Sequence, residues 1–207
     1  ALVTPMHEDG SLDLEALGGL VDFHAGAGTS AVVVAGTTGE SPCITAGELD
    51  NMLRTALEAA SGRLAVIAGT GSNDTAHAVE LTATAARAGA AAALVVTPYY
   101  NKPTQQGLFL HYRAVARDGG LPVILYNVPG RTACDLLPET VARLAEVEGI
   151  VGIKDAVPGT ERVTRLRTLL GARLDLLSGD DATAMDFLLA GGDGVISVTA
   201  NVAPRLM

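Results

Sequence analysis

Eight short apolar runs punctuate this chain at intervals of about 20 to 33 residues, with a stretch of helical length between successive runs. The runs are Ala1–Thr4, Ala31–Ala35, Leu64–Ala68, Ala92–Thr97, Val123–Asn127, Ile150–Lys154, Asp175–Ser178 and Val195–Ser197. They are apolar nearly throughout instead of alternating, which suits parallel strands covered on both faces. The amphipathic stretches between them are Asp13–Ala27, Thr45–Ala60, Asp74–Ala88, Gln105–Ala116, Pro138–Ala145, Thr160–Leu170 and Asp181–Ala190. Thr45 followed by Glu48 reads as a capping box, and Asp74, Thr160 and Asp181 read as N-caps. Gly89, Gly149 and Gly171 read as helix terminators. This alternation predicts an α/β chain folded as a (β/α)8 TIM barrel. An open doubly wound sheet is the competing arrangement. It usually carries a Gly-rich phosphate turn after its first strand, whereas the first run here leads into Thr4-Pro5-Met6-His7. The spacing further predicts one domain over residues 1–207, lacking the start of the first strand and most of the eighth helix.

Composition removes whole classes of function. The net charge is −9 with only 14 Lys+Arg, and no cationic cluster is present to meet a phosphate backbone, so no nucleic-acid partner is expected. The longest apolar run, around Ala88–Val96, falls far short of the roughly 20 residues a membrane span requires. Ala1-Leu2-Val3-Thr4-Pro5 has no signal-peptide character, and the expected location is cytoplasmic. Cys43 and Cys134 are too few for a disulfide framework and fit no metal spacing. Lysine is scarce: Lys102 and Lys154 are the only two.

Barrels of this kind hold their chemistry at the C-terminal ends of the strands. The residues falling there are Gly36-Thr37-Thr38-Gly39-Glu40, Thr97-Pro98-Tyr99-Tyr100-Asn101, Tyr126-Asn127 with Val128-Pro129-Gly130-Arg131-Thr132, Lys154-Asp155, Ser178-Gly179-Asp180-Asp181 and Ser197-Val198-Thr199-Ala200-Asn201. A lysine at the end of a buried strand is desolvated, which lowers its pKa and lets the neutral amine attack a carbonyl. The alternative for Lys154 is a snorkelling or ion-paired side chain, with Asp155 as the nearest partner. Imine chemistry needs several proton transfers, and hydroxyls can both donate and accept. Tyr126 is the first candidate for that role, with Thr37, Thr38 and Tyr100 beside it. Each could instead be a buried hydroxyl satisfied by a carbonyl. Arg131, just past a Pro-Gly turn, suits a carboxylate fork or else a surface ion pair. His7, His24, His77 and His111 lie in a loop or on helices, so no metal cluster is expected at the strand ends.

Gly36-Thr37-Thr38-Gly39-Glu40-Ser41, Val96-Thr97-Pro98-Tyr99-Tyr100-Asn101, Tyr126-Asn127-Val128-Pro129-Gly130-Arg131-Thr132 and Gly152-Ile153-Lys154-Asp155 resemble the motifs of the dihydrodipicolinate synthase family. This is the pyruvate-aldolase family that includes N-acetylneuraminate lyase. The resemblance runs along the whole chain, through Leu177-Ser178-Gly179-Asp180-Asp181 and Gly194-Val195-Ile196-Ser197-Val198-Thr199-Ala200-Asn201. It implies a lyase in lysine and diaminopimelate biosynthesis that condenses pyruvate with L-aspartate 4-semialdehyde to 4-hydroxy-tetrahydrodipicolinate. It implies no cofactor beyond a covalent imine (Schiff base) between pyruvate and Lys154, and no metal. Tyr126 is then the central proton-transfer residue. Thr37, Tyr126 and Tyr100 form a relay, with Tyr100 crossing a dimer interface. Thr38 and the backbone at Ile196 hold the pyruvate carboxylate, Gly179 belongs to the substrate pocket, and Arg131 takes the carboxylate of the semialdehyde.

The resemblance also implies a homotetramer of tight dimers and a C-terminal helical domain that residues 1–207 do not include. The Thr37-Thr38 pair and Arg131 favour the synthase over the sialic-acid lyases, which typically carry Ser-Thr and no such arginine. Lys154-Asp155 stands where Lys-Glu is common. Among positions associated with lysine feedback, Asn73 and Tyr99 match while Ala46, Leu49 and His77 do not, so weak or no feedback is expected. Two other readings compete: a related pyruvate-dependent aldolase acting on a sugar-acid or hydroxy-oxoglutarate substrate, and a non-catalytic binding barrel.

Overall fold

The computed structural model describes residues Ala1–Met207. In chain order it comprises α1 (Leu14–Ala27), β1 (Ala31–Val34), a 3-10 turn (Ser41–Cys43), α2 (Ala46–Ala60), β2 (Ala65–Gly69), α3 (Thr75–Ala88) and β3 (Ala92–Val96). Then come α4 (Gln105–Asp118), β4 (Val123–Asn127), the short α5 (Pro129–Thr132), α6 (Pro138–Leu144), β5 (Ile150–Asp155), α7 (Glu161–Leu170), β6 (Asp175–Ser178), α8 (Ala184–Leu189) and β7 (Gly194–Val195). Two further 3-10 turns, Thr199–Asn201 and Pro204–Leu206, follow. The seven strands are all parallel and pair in sequential order, β1 to β7.

The first predicted strand is the one substantial correction. Ala1–Thr4 forms no ladder and is irregular backbone. It nevertheless joins the two sheet edges. Leu2 donates its amide to the Val33 carbonyl (3.0 Å), and the Ala1 amino group donates to the Ser197 carbonyl (2.8 Å). The next amide, Val3, bonds to the Asn201 side chain at 3.1 Å, and Asn201 Nδ2 returns a bond to the Ala1 carbonyl at 2.7 Å. A side chain thus takes the place of a strand partner, and the ladder cannot propagate. The segment occupies the closing position between β7 and β1, and the architecture is the (β/α)8 barrel.

Alternation along the strands sorts side chains between two cores. Val33, Leu94, Ile124, Tyr126 and Val128 cluster inside the barrel, with Ile67, Val96, Leu177 and Ile196 against them. Their strand neighbours Val32, Val34, Val66 and Ala68 face α1, α2 and α3, while Ala93, Val95, Leu125, Ile153 and Leu176 face α4, α6 and α7. Both faces are therefore dry, which is why the runs read as unbroken apolar stretches. Each fully buried leucine such as Leu125 contributes about 1.5–3 kcal/mol. Tyr112 lies wholly buried in the outer core, and its hydroxyl donates to the Val95 carbonyl at 3.1 Å.

Most helix starts follow from the residues. Thr45 and Glu48 form the reciprocal capping box, and Asp74 caps α3 by accepting from the Ala76 amide at 2.9 Å. Gly89 and Gly171 close α3 and α7. Other expected helix signals resolve differently. Thr160 precedes α7 without a side-chain cap bond, and Gly149 does not terminate α6, which ends at Leu144. Asp181 does not cap α8, whose N-cap position is Thr183. Its carboxylate is instead drawn away to the loop after β7. No helix is long and apolar enough to cross a membrane.

Candidate active site

The register of β4 and β5 sets Tyr126 directly beside Lys154, and Asn127 beside Asp155. Tyr126 and Lys154 face the barrel interior, and the Lys154 Nζ lies 4.4 Å from the centre of the Tyr126 ring. Lys154 is only 4 % exposed. Burial lowers its pKa to about 8, the Asp181 carboxylate raises it, and the Arg131 guanidinium lowers it. Lys154 makes no ion pair with Asp155, whose carboxylate is held by Arg162 Nε at 2.6 Å on the opposite face of the strand. The snorkelling and ion-paired alternatives for Lys154 therefore do not describe it.

Room for the amine depends on Gly179. A Cβ at that position would stand 3.0 Å from Lys154 Cε and 2.9 Å from Ala156 Cβ. Both separations are tighter than apolar carbons tolerate. The Tyr126 phenol is pushed above the ordinary tyrosine range by burial, while the neighbouring Thr37 hydroxyl and the Arg131 charge pull it back. It remains a neutral hydroxyl near pH 7, able to donate and to accept.

Thr37 and Thr38 occupy a tight turn after β1. The amides of Gly39, Glu40 and Ser41 are consumed within that turn, on the carbonyls of Gly36, Thr37 and Gly36 respectively. The amides of Thr37 and Thr38 are engaged by no protein acceptor, so two successive N–H groups remain for an anion. Ile196 offers less than expected. Its amide donates to the Ser178 carbonyl at 2.9 Å, so a carboxylate contact at that residue has no free donor.

Arg131 lies on α5 at the rim, exposed, and enters none of the ion pairs of the molecule. Its guanidinium is close enough to influence both Lys154 and Tyr126. Tyr100 stands apart: it is 87 % exposed and has a left-handed backbone, φ 74°. Ala35, Glu40, Lys102 and Ala133 share positive φ and lie in the loops that leave β1, β3 and β4, while Ser61, which also has positive φ, closes α2. Such strain in non-glycine residues collects where the surrounding fold holds functional loops.

Two features escaped the sequence reading. Asp181 lies near enough to raise the Lys154 pKa. One of its carboxylate oxygens accepts from the Val198 amide (3.0 Å), the Thr199 amide (2.7 Å) and the Thr199 hydroxyl (2.8 Å), and the other is buried without a partner. Burial raises the pKa of Asp181, but the bonds from Thr199 and Val198 outweigh it and hold the group ionised. The second feature is a polar cluster of Asn127, Asp135, Asp155 and Arg162 behind the two central residues. Strand alternation was its one available signal: Asn127 and Asp155 each follow a residue of interest and must point the other way.

The family model of the dihydrodipicolinate synthetase family matches residues 1–207. The 4-hydroxy-tetrahydrodipicolinate synthase of Nitrosococcus oceani is 58 % identical over 205 residues, which is 99 % of this chain and 70 % of that protein. That of Methylococcus capsulatus is 58 % identical over 207 residues, covering 100 % and 71 %. Among solved structures, the chloride-inhibited dihydrodipicolinate synthase of Acinetobacter baumannii complexed with pyruvate superposes with a TM-score of 0.98 at 50 % identity, covering 100 % of this chain and 71 % of that one. The enzyme of Aquifex aeolicus gives 0.96 at 48 % identity, covering 99 % and 70 %. A barrel of matching topology, an inward lysine–tyrosine pair and relatives matched along the whole sequence lead to one conclusion: the chain belongs to the dihydrodipicolinate synthetase family.

Proposed function

We propose that the chain, as a lyase of lysine and diaminopimelate biosynthesis, condenses pyruvate with L-aspartate 4-semialdehyde to give 4-hydroxy-tetrahydrodipicolinate, and that residues 1–207 carry the catalytic barrel. The observation that carries the reading is a desolvated lysine amine seated against a tyrosine ring at the C-terminal end of a parallel barrel. Names among relatives and neighbours agree with the overall reaction. Enzymes of the family need no metal or cofactor, so the chemistry falls to these side chains.

The neutral Lys154 amine attacks the pyruvate ketone, and loss of one water gives the imine. The Thr37 and Thr38 amides, with the Thr38 hydroxyl, receive the pyruvate carboxylate. Their lack of protein acceptors supports this. Removal of a methyl proton gives the enamine, whose carbon attacks the semialdehyde aldehyde. The semialdehyde amine then adds to the imine carbon, closing the ring and expelling Lys154. Tyr126 moves protons between these steps, with Thr37 beside it. Tyr100 completes the relay from a partner subunit in a tetramer built of tight dimers. Its exposure and held backbone support a role outside its own barrel. Arg131 binds the semialdehyde carboxylate, and its freedom from any ion pair supports that role.

Borohydride reduction in the presence of pyruvate, followed by peptide mass spectrometry, tests the reading. A stable adduct on Lys154 is expected. Its absence sinks the mechanism, and an adduct on the exposed Lys102 would redirect it.

A further inference from the structure

We propose that Arg162 and Asp135 are positioning residues that set Arg131 for the second substrate, and the inference rests on the assignment of Arg131 to the semialdehyde carboxylate. The Val128–Leu136 segment carries Arg131 and leaves directly from the end of β4. Asn127 holds both the segment's far end and its acidic residue. Its Oδ1 accepts from the Leu136 amide at 2.9 Å, and its Nδ2 donates to Asp135 Oδ1 at 2.9 Å. Arg162, reaching over from the first turn of α7, completes the cluster. Its Nε donates to Asp155 Oδ2 at 2.6 Å, its Nη1 donates to Asp135 Oδ2 at 3.2 Å, and its Nη2 donates to the Leu136 carbonyl.

One guanidinium therefore ties the Arg131 segment to the strand that carries Lys154. The side chains of Arg162 and Asp155 are 13 % and 2 % exposed, while Asp135 is 38 % exposed. The planar fork matters here. It addresses three acceptors in separate directions, which a single ammonium at the end of a flexible stem cannot reproduce. The cluster touches no reacting atom. It lies on the outer face of β4 and β5, one residue along the backbone from Tyr126 and Lys154. A loop displaced by a fraction of an ångström would misplace the Arg131 guanidinium, while Lys154 stays fixed in the ladder between β4 and β6 and the Thr37–Thr38 turn stays closed by its own backbone bonds.

The test separates the two substrates. Asp135→Ala and Arg162→Lys should each raise the KM for aspartate semialdehyde by about tenfold, the equivalent of one charged hydrogen bond lost. Asp135→Asn, which keeps an acceptor, should recover part of the loss. The KM for pyruvate and the rate of borohydride trapping on Lys154 should stay within about twofold, because the pyruvate anchors are untouched. A merely structural role would depress both substrates together, and that outcome overturns the proposal. Arg131→Ala is the control. If it raises the semialdehyde KM while the other variants do not, positioning by the cluster is refuted alone. If it leaves that KM unchanged, the role of Arg131 falls and the positioning proposal falls with it.

Discussion

The pH dependence of imine formation follows from the setting of Lys154. Only the neutral amine attacks, so the rate tracks its deprotonated fraction. Burial brings the pKa from 10.5 down to about 8. At pH 7 about 9 % of the amine is then neutral, against about 0.03 % for an unperturbed lysine, and the difference corresponds to about 3 kcal/mol. The group is lowered relative to its solvated value, so the competent form grows as pH rises and saturates beyond the folded pKa. Between pH 6 and 9 the initial rate of borohydride-trapped pyruvate adduct should rise by about ninetyfold and then level off. An unperturbed lysine would still be climbing tenfold per unit at pH 9. Two variants should move the midpoint in opposite directions. Asp181→Asn removes the charge that raises the Lys154 pKa and should lower the midpoint, while Arg131→Ala should raise it. Quantifying the adduct by mass spectrometry at saturating pyruvate reads all three profiles. A midpoint near 10, or a shift of both variants in one direction, would refute the desolvation argument.

Gly179→Ala should abolish or sharply slow adduct formation while the circular dichroism spectrum stays that of the parent, because the new methyl meets Lys154 Cε in the open end of the barrel. Gly69→Ala should act on stability instead. Its Cβ would collide with the Ala35 backbone carbonyl across the β1–β2 junction, and a loss of about 2 kcal/mol or more is expected in urea unfolding. Millimolar lysine should leave the condensation rate largely unchanged, since Leu49 is buried in the core and His77 sits beside Glu80. Strong inhibition in a steady-state assay would contradict this.

Much of the fold was legible in the chain itself. Runs that are apolar on both faces, separated by capped amphipathic stretches, leave few arrangements besides a parallel barrel, and the strand ends then nominate a rim. The failures are local and have physical causes. Asp181 looked like an N-cap, but three donors around Thr199 compete for its carboxylate, and α8 starts later. Ala1–Thr4 looked like a strand, but the Asn201 side chain takes the Val3 amide that a ladder would use. Neither competitor is visible in a local window, since both lie far away along the sequence.

Sequence by itself determined the barrel class, the single lysine at a strand end and the hydroxyls on the same rim, because strand period and strand termini are local properties. Tertiary structure decided what those residues can do. The β4–β5 register placed Tyr126 against Lys154 instead of one residue out of step, and the absence of a side chain at Gly179 left the amine its space. The same register turned Asn127 and Asp155 outward to meet Arg162. Lys154 has its pKa of about 8 chiefly because the surrounding barrel excludes water, an effect that belongs to no residue in the sequence taken alone.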